Sequence, residues 1–236
     1  MRKIDKGKQP PSLRQWCAKH QSDINYGYEL IPSAIRDSVK DELLREQGWI
    51  CAYSGRAISR QSSHIEHLKP QTPWKSQKGM DVDYANIVAC WPEPGYQPEP
   101  PYGARFKGDW PAPGQEGLFV SPLRAGCEDR FLFSYQGEIK TKSGDKAAAM
   151  TVQKLGLAGR LLTDLRKQAV VSVIGKTRSM KLADAKLRLK TLLDAEKELK
   201  SGADIHLDPY CFALKQVLRK HIRTLESIRH NVGKNH

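Results

Sequence analysis

The chain reads as α+β, with a mixed region over residues 1–140 followed by a helical region over 141–236. Three observations predict this. Ser62–His67 alternates in the manner of a strand, with His64 and Glu66 set against Ser63 and Ile65, and Ile87-Val88-Ala89-Cys90 is an apolar run of strand length. Residues 91–117 are dense in Pro and Gly, a composition that resists regular structure and suits a segment covering a functional site. From Asp145 onward, apolar residues recur at three- and four-residue steps.

The elements follow in order. Residues 1–32 carry Pro10-Pro11 and no strong periodicity, so no element is predicted there. Pro32-Ser33 opens a helix over Ala34–Gln47, with Ser33 as N-cap and Gly48 just past its end, where φ turns positive. Trp49–Tyr53 reads as a short strand turning at Ser54-Gly55, and Ser62–His67 as another, ended by Pro70. A loop rich in Gln, Lys and Gly leads through Asp83-Tyr84-Ala85-Asn86 into Ile87–Cys90. Phe119–Pro122 and Arg130–Ile139 read as strand, with Gln136-Gly137 as a turn.

Asp145 can cap a helix over Lys146–Leu155, which Gly156 and Gly159 break near Leu157. Leu162, Leu165, Ala169 and Val173 mark the apolar face of the next helix, and Leu182, Ala185, Leu189 and Leu192 that of a third. Asp208-Pro209 forms an N-cap and N1 pair for a last helix carrying Leu214, Leu218, His221, Leu225 and Ile228. His221 on that face reads as a packed histidine.

Lys plus Arg number 39 against 26 Asp plus Glu, a formal net charge of +13. Such a chain favours polyanions, because each neutralised phosphate releases condensed counterions. No apolar run approaches the roughly 18–20 residues of a membrane span, so no membrane role is expected. No apolar segment follows the basic start Met1-Arg2-Lys3, unlike a secretory signal. Cys17, Cys51, Cys90, Cys127 and Cys211 are odd in number and scattered, which is not a disulfide framework. These features together predict a cytoplasmic protein.

The chemistry concentrates in His64-Ile65-Glu66-His67. On a strand, His64 and Glu66 share a face, while His67 sits at the strand end. A carboxylate is a hard oxygen ligand suited to Mg²⁺, and a neutral imidazole is a base poised near neutral pH. Phosphodiester hydrolysis uses both. An ordinary surface strand also places polar residues on its open face, although two histidines and a glutamate in four positions is unusual there.

Several segments resemble one bacterial group. They are Cys51-Ala52-Tyr53, Ser63 through Gln71, Asp83 through Asn86, Lys107-Gly108-Asp109-Trp110, Ser121-Pro122-Leu123 and Cys127 through Phe131. The group is the HNH, or ββα-metal, endonucleases that serve Septu-type and retron-associated anti-phage defence. The resemblance spans roughly residues 1–175. It implies a ββα-metal core at about residues 33–115 with short β-hairpins, followed by the C-terminal helical region. It also implies DNA as substrate, Mg²⁺ or Mn²⁺ as cofactor, and a partner ATPase subunit. Carried over by residue, it makes His67 the general base, Glu66 a metal ligand and Asn86 the residue that fixes the loop and the base. His64 stands as either an additional ligand or a partner of the ligands.

The sequence departs from that group at two places. Related proteins often hold the hairpin with zinc on two Cys-x-x-Cys pairs, but here Cys51 and Cys90 remain while Ser54 and Tyr102 stand in the other positions. No structural zinc is therefore expected. A late histidine ligand is also missing from Gly103-Ala104-Arg105-Phe106-Lys107, where Arg105 and Lys107, with Lys69, are instead candidates for phosphate binding. Asp109 or water is left to complete the metal shell. The leading expectation is a metal-dependent DNA endonuclease. The alternative is a nucleic-acid-binding or partner-binding subunit that has lost part of the metal site.

Overall fold

The computed structural model describes residues 1–232. Among these residues lie eight α-helices and two small antiparallel sheets, an α+β arrangement. In chain order they are α1 (Pro11–His20), α2 (Ser33–Gln47), β1 (His64–His67), α3 (Gln71–Trp74), β2 (Ile87–Cys90) and α4 (Ala104–Lys107). Then come β3 (Phe131–Phe133), β4 (Ile139–Thr141), α5 (Lys146–Lys154), α6 (Arg160–Ile174), α7 (Leu182–Lys200) and α8 (Cys211–Val232). No helix among the described residues is long and apolar enough to cross a membrane.

The first sheet pairs β1 with β2, His64 opposite Cys90 and His67 opposite Ile87. Every residue of β2 is buried, as an unbroken apolar run requires, whereas β1 is half-buried until His67. Gln47, at the end of α2, is buried because its amide completes the hydrogen bonding around β2. It donates to the Ile50 and Ala89 carbonyls at 2.9 and 2.8 Å and accepts the Ala89 N–H at 2.7 Å.

The second sheet pairs β3 with β4, Phe131 opposite Thr141. Its turn contains Gly137, at φ +76, where a Cβ would lie 2.3 Å from the Thr163 carbonyl oxygen of α6. Only glycine lets the hairpin approach the helix backbone this closely. Helix α8 packs on α6, α7 and β3, and buries Leu214, Leu218 and His221. His221 donates from Nε2 to the Met180 carbonyl at 2.9 Å, a packing role. One buried cluster contains Leu43, Val88, Phe131, Leu162, Leu192 and Leu218, so the hairpins and the late helices share a core.

Several elements differ from the sequence reading. Helix α1 occupies a stretch where none was expected. Pro11 sits in its first turn, where a missing N–H costs nothing, and Leu13 and Trp16 bury its inner face. Helix α2 already includes Ser33, so Pro32 is the flanking residue and no side chain caps the helix. Trp49–Tyr53 forms no strand, only the bridge Ile50–Ala57 around a turn with Gly55 at φ 75. Phe119–Pro122 has no strand partner either. The Val120 N–H is satisfied by the Thr151 hydroxyl at 2.8 Å instead. Helix α8 begins at Cys211 because Tyr210 takes a left-handed φ of 60, which leaves Pro209 outside it and Asp208 paired with Arg188 at 2.5 Å.

Asp145 does cap α5, accepting the Ala148 N–H at 2.9 Å while both its oxygens engage the Arg130 guanidinium. The Arg130 hydrogen bonds, chiefly, hold its carboxyl below the ordinary carboxylate range. A depressed carboxyl contributes stability above its unfolded pKa and loses it as pH falls through the folded one. Asp145→Ala should therefore cost about 1–2 kcal/mol at neutral pH. The gap from the unaltered chain should close below about pH 4, as measured by urea unfolding across pH. A gap that persists at pH 2 would show that the carboxylate is not its source.

Candidate functional site

Strand alternation sends His64 and Glu66 to one face of the first hairpin and Ile65 and His67 to the other. The neighbours of Glu66 and His67 are accordingly different.

Glu66 Oε1 lies 2.8 Å from Lys107 Nζ, and the buried Tyr53 hydroxyl is 3.5 Å from the same oxygen. The Lys107 side chain is 1% exposed and comes from α4, a single turn between Gly103 at φ 87 and Gly108 at φ 54. Those two glycines let the chain turn sharply into and out of α4, which brings the lysine in over the hairpin. Lys107 Nζ also donates to the His67 carbonyl at 3.1 Å, and so ties the two strand residues together. Burial pushes the Glu66 carboxyl up, but the Lys107 ammonium and His64 outweigh it, and the group lies below its ordinary value as a carboxylate.

His64 Nδ1 is hydrogen-bonded to the Pro92 carbonyl oxygen. A carbonyl can only accept, so Nδ1 carries a proton and Nε2 is the nitrogen left to meet another partner. That Nε2 faces Glu66 Oε2 at 3.7 Å, beyond hydrogen-bond range. With a proton on Nε2 the two groups form an ion pair, and without one the facing Nε2 and Oε2 lone pairs are open to a cation between them. Ligands about 2.0–2.2 Å from a shared cation can be up to about 4.4 Å apart, and a metal-bound histidine commonly donates its other N–H to a carbonyl. His64 and Glu66 thus fit a divalent cation as a two-donor seat. No group of three or more His, Cys, Asp or Glu able to hold a metal comes together among the described residues. Asp109 is exposed and makes no third donor, so water or substrate oxygens would complete the shell.

His67 is 8% exposed, and its Nε2–H donates to the Asp81 carbonyl at 2.8 Å, which leaves the lone pair on Nδ1. The ring meets the edge of Tyr28 with centroids 4.9 Å apart. Burial lowers its pKa, with the Asp81 carbonyl opposing, so the imidazole is neutral at neutral pH. Asn86 is buried and donates to the carbonyls of Lys69 and Met80 at 3.1 and 3.0 Å while accepting the Lys69 N–H at 2.9 Å. It clamps both ends of the loop after β1, and one of those ends, Met80, adjoins Asp81, whose carbonyl holds the His67 ring.

The three phosphate-binding candidates separate. Lys69 stands over the Trp74 ring at 4.4 Å and lines a cavity of about 440 Å³ with Lys75, Lys78 and Asp81. Arg105 points inward to the carbonyls of Tyr96 and Glu93 at 2.7 and 2.8 Å, so its guanidinium fastens a loop. Lys107 is buried on Glu66. Arg105 and Lys107, both expected as phosphate-binding candidates, are thus engaged with partners inside the fold. Sequence reasoning also missed Asp81, whose contribution is a backbone carbonyl, and the Lys107 ion pair, for which the flanking glycines were the available signal.

Cys51 and Cys90 lie side by side. Burial opposes ionisation of Cys51, but donation from the Cys90 thiol, Ser54 and the Trp91 N–H draws it down to about 5. Tyr102 is buried against Trp91 and accepts from Arg56 at 3.4 Å. No family model and no curated protein matches the chain, so its chemistry has to be read from these side chains themselves.

Proposed function

We propose that the chain is a metal-dependent endonuclease of the HNH type, acting on DNA from the hairpin β1–β2 and the turn α4. The observation that carries this reading is the pair His64 Nε2 and Glu66 Oε2, facing each other at 3.7 Å on the strand that also carries a histidine held neutral. Mg²⁺ or Mn²⁺, when bound there, supplies the charge that holds a phosphodiester and stabilises its leaving oxygen. His67 Nδ1 takes the proton from an attacking water, and the Asp81 carbonyl keeps the tautomer and favours the imidazolium that forms. Lys107 holds Glu66 Oε1, which leaves Oε2 turned toward His64. Glu66 and His67 lie on either side of the strand end, one residue apart, so a scissile phosphate that meets both must cross that end. Lys69 and its neighbouring lysines offer charge to the flanking backbone. The resemblance to Septu-type proteins extends this reading to an anti-phage effector working with a partner ATPase.

One observation favours a second reading. Lys107 already neutralises Glu66, and a third protein donor is missing from the seat, as in a subunit that binds nucleic acid without cutting it. Calorimetric titration with Mn²⁺ separates the two. The unaltered chain should show one saturable site, and His64→Gln, which leaves the Lys107 pair intact, should lose it. Absence of a saturable site in the unaltered chain would favour the binding subunit.

A further inference from the structure

A second basic surface lies apart from the hairpin site and shares no residue with it. Arg219, Lys220 and Arg223 are exposed along α8, and Lys142 is exposed just beyond β4. With Asp129, Leu132 and Gln216 they line an open groove of about 460 Å³. The acids around it are already committed. Asp145 is bound to Arg130, Glu226 to Lys186 at 2.6 Å and Glu128 to Lys215 at 3.0 Å. Asp129 is the one carboxylate among the residues described as lining the groove, set against four cations.

The floor of the groove is fixed. Gln216 accepts the Phe133 N–H at 3.1 Å and donates to the Phe131 carbonyl at 2.8 Å, which pins α8 along β3. Lys220 reaches over the Tyr135 ring, 5.4 Å from its centroid, and Arg178 stands over the same ring at 4.1 Å, which extends the positive surface. Cations held along a rigid, open groove are suited to a polyanion that needs positioning rather than enclosure.

We propose that this groove is a second nucleic-acid backbone contact, anchoring duplex DNA away from the reacting groups. A chain of net charge +13 has the overall field to draw such a ligand, and the groove itself sets four cations against one carboxylate. The proposal rests on the nucleic-acid reading of the hairpin site only in sharing its ligand.

The test is fluorescence anisotropy of a labelled DNA duplex with the full chain, without divalent cations, across a NaCl series. The groove variant is Arg219→Gln with Lys220→Gln and Arg223→Gln. A control removes equal charge from exposed positions elsewhere, as Lys154→Gln with Arg160→Gln and Lys197→Gln. Each lost phosphate contact lowers the slope of log affinity against log salt by about one, so the groove variant should lose about three and bind at least about tenfold more weakly. The control should stay near the unaltered chain. Equal behaviour of the two variants overturns the groove and leaves the hairpin reading standing. Absence of salt-dependent binding in the unaltered chain overturns both.

Discussion

His67→Ala should lower the rate of DNA cleavage by about 10²–10⁴-fold, the usual contribution of a positioned general base. Binding of the same duplex, measured without divalent cations, should be unchanged. The expectation follows from two facts about the ring. Its Nε2–H is committed to the Asp81 carbonyl, so the available lone pair is on Nδ1, and burial keeps that nitrogen unprotonated near neutral pH. The ring is also packed against Tyr28, so alanine leaves a gap, and lost packing has to be told apart from lost chemistry. His67→Gln does this. Its amide can still donate to the Asp81 carbonyl and fill most of the ring's space, but it is not a base. Both variants should therefore lose cleavage, while only His67→Ala loses thermal stability. Cleavage by His67→Gln at the unaltered rate would remove His67 from the chemistry.

The first hairpin was legible because its two strands announce themselves locally. One alternates, and the other is an unbroken apolar run that has to be buried on both faces. Helix α5 was legible for the same kind of reason, since Asp145 caps it through its own backbone neighbourhood. The failures share the opposite cause. Phe119–Pro122 is apolar enough for a strand, but whether it pairs depends on a distant partner, and α5 offers only the Thr151 hydroxyl. The cap expected at Asp208-Pro209 failed because Tyr210 adopts a left-handed φ and delays the helix. In the site, the loop-fixing role of Asn86 came only from the resemblance, and its side chain is hydrogen-bonded to the backbone at both ends of the loop after β1. The inward turn of Lys107 could not be assigned, because a lysine reads as exposed until the fold brings a buried carboxylate to it. The same fold separates Glu66 and His67 onto two faces, although their adjacency in the chain invites reading them as one group.

Lys107→Met should destabilise the protein by about 3–5 kcal/mol, because it leaves the Glu66 carboxylate desolvated without its partner. The lysine side chain is 1% exposed and the glutamate 15%, so water does little to replace the lost ammonium. The His67 carbonyl loses a donor in the same step. For a chain of this size the cost corresponds to a fall in Tm of about 6–20 °C. The double variant Glu66→Gln with Lys107→Met removes both charges and should recover most of that loss, since a buried ion pair contributes little beyond compensating its own burial. The cation seat makes a further difference between these variants. Once the lysine is gone, the Glu66 carboxylate lacks its ammonium neighbour while His64 still faces it, so Mn²⁺ should bind more tightly than to the unaltered chain. At about a hundredfold excess over Kd it should restore about 2.7 kcal/mol. The double variant keeps His64 but lacks the carboxylate, and Mn²⁺ should leave its Tm where it was. If Lys107→Met is as stable as the unaltered chain, the ion pair is not what holds Glu66. If it is unstable and indifferent to Mn²⁺, the pair stands, and His64 with Glu66 is a buried polar cluster rather than a seat for a metal.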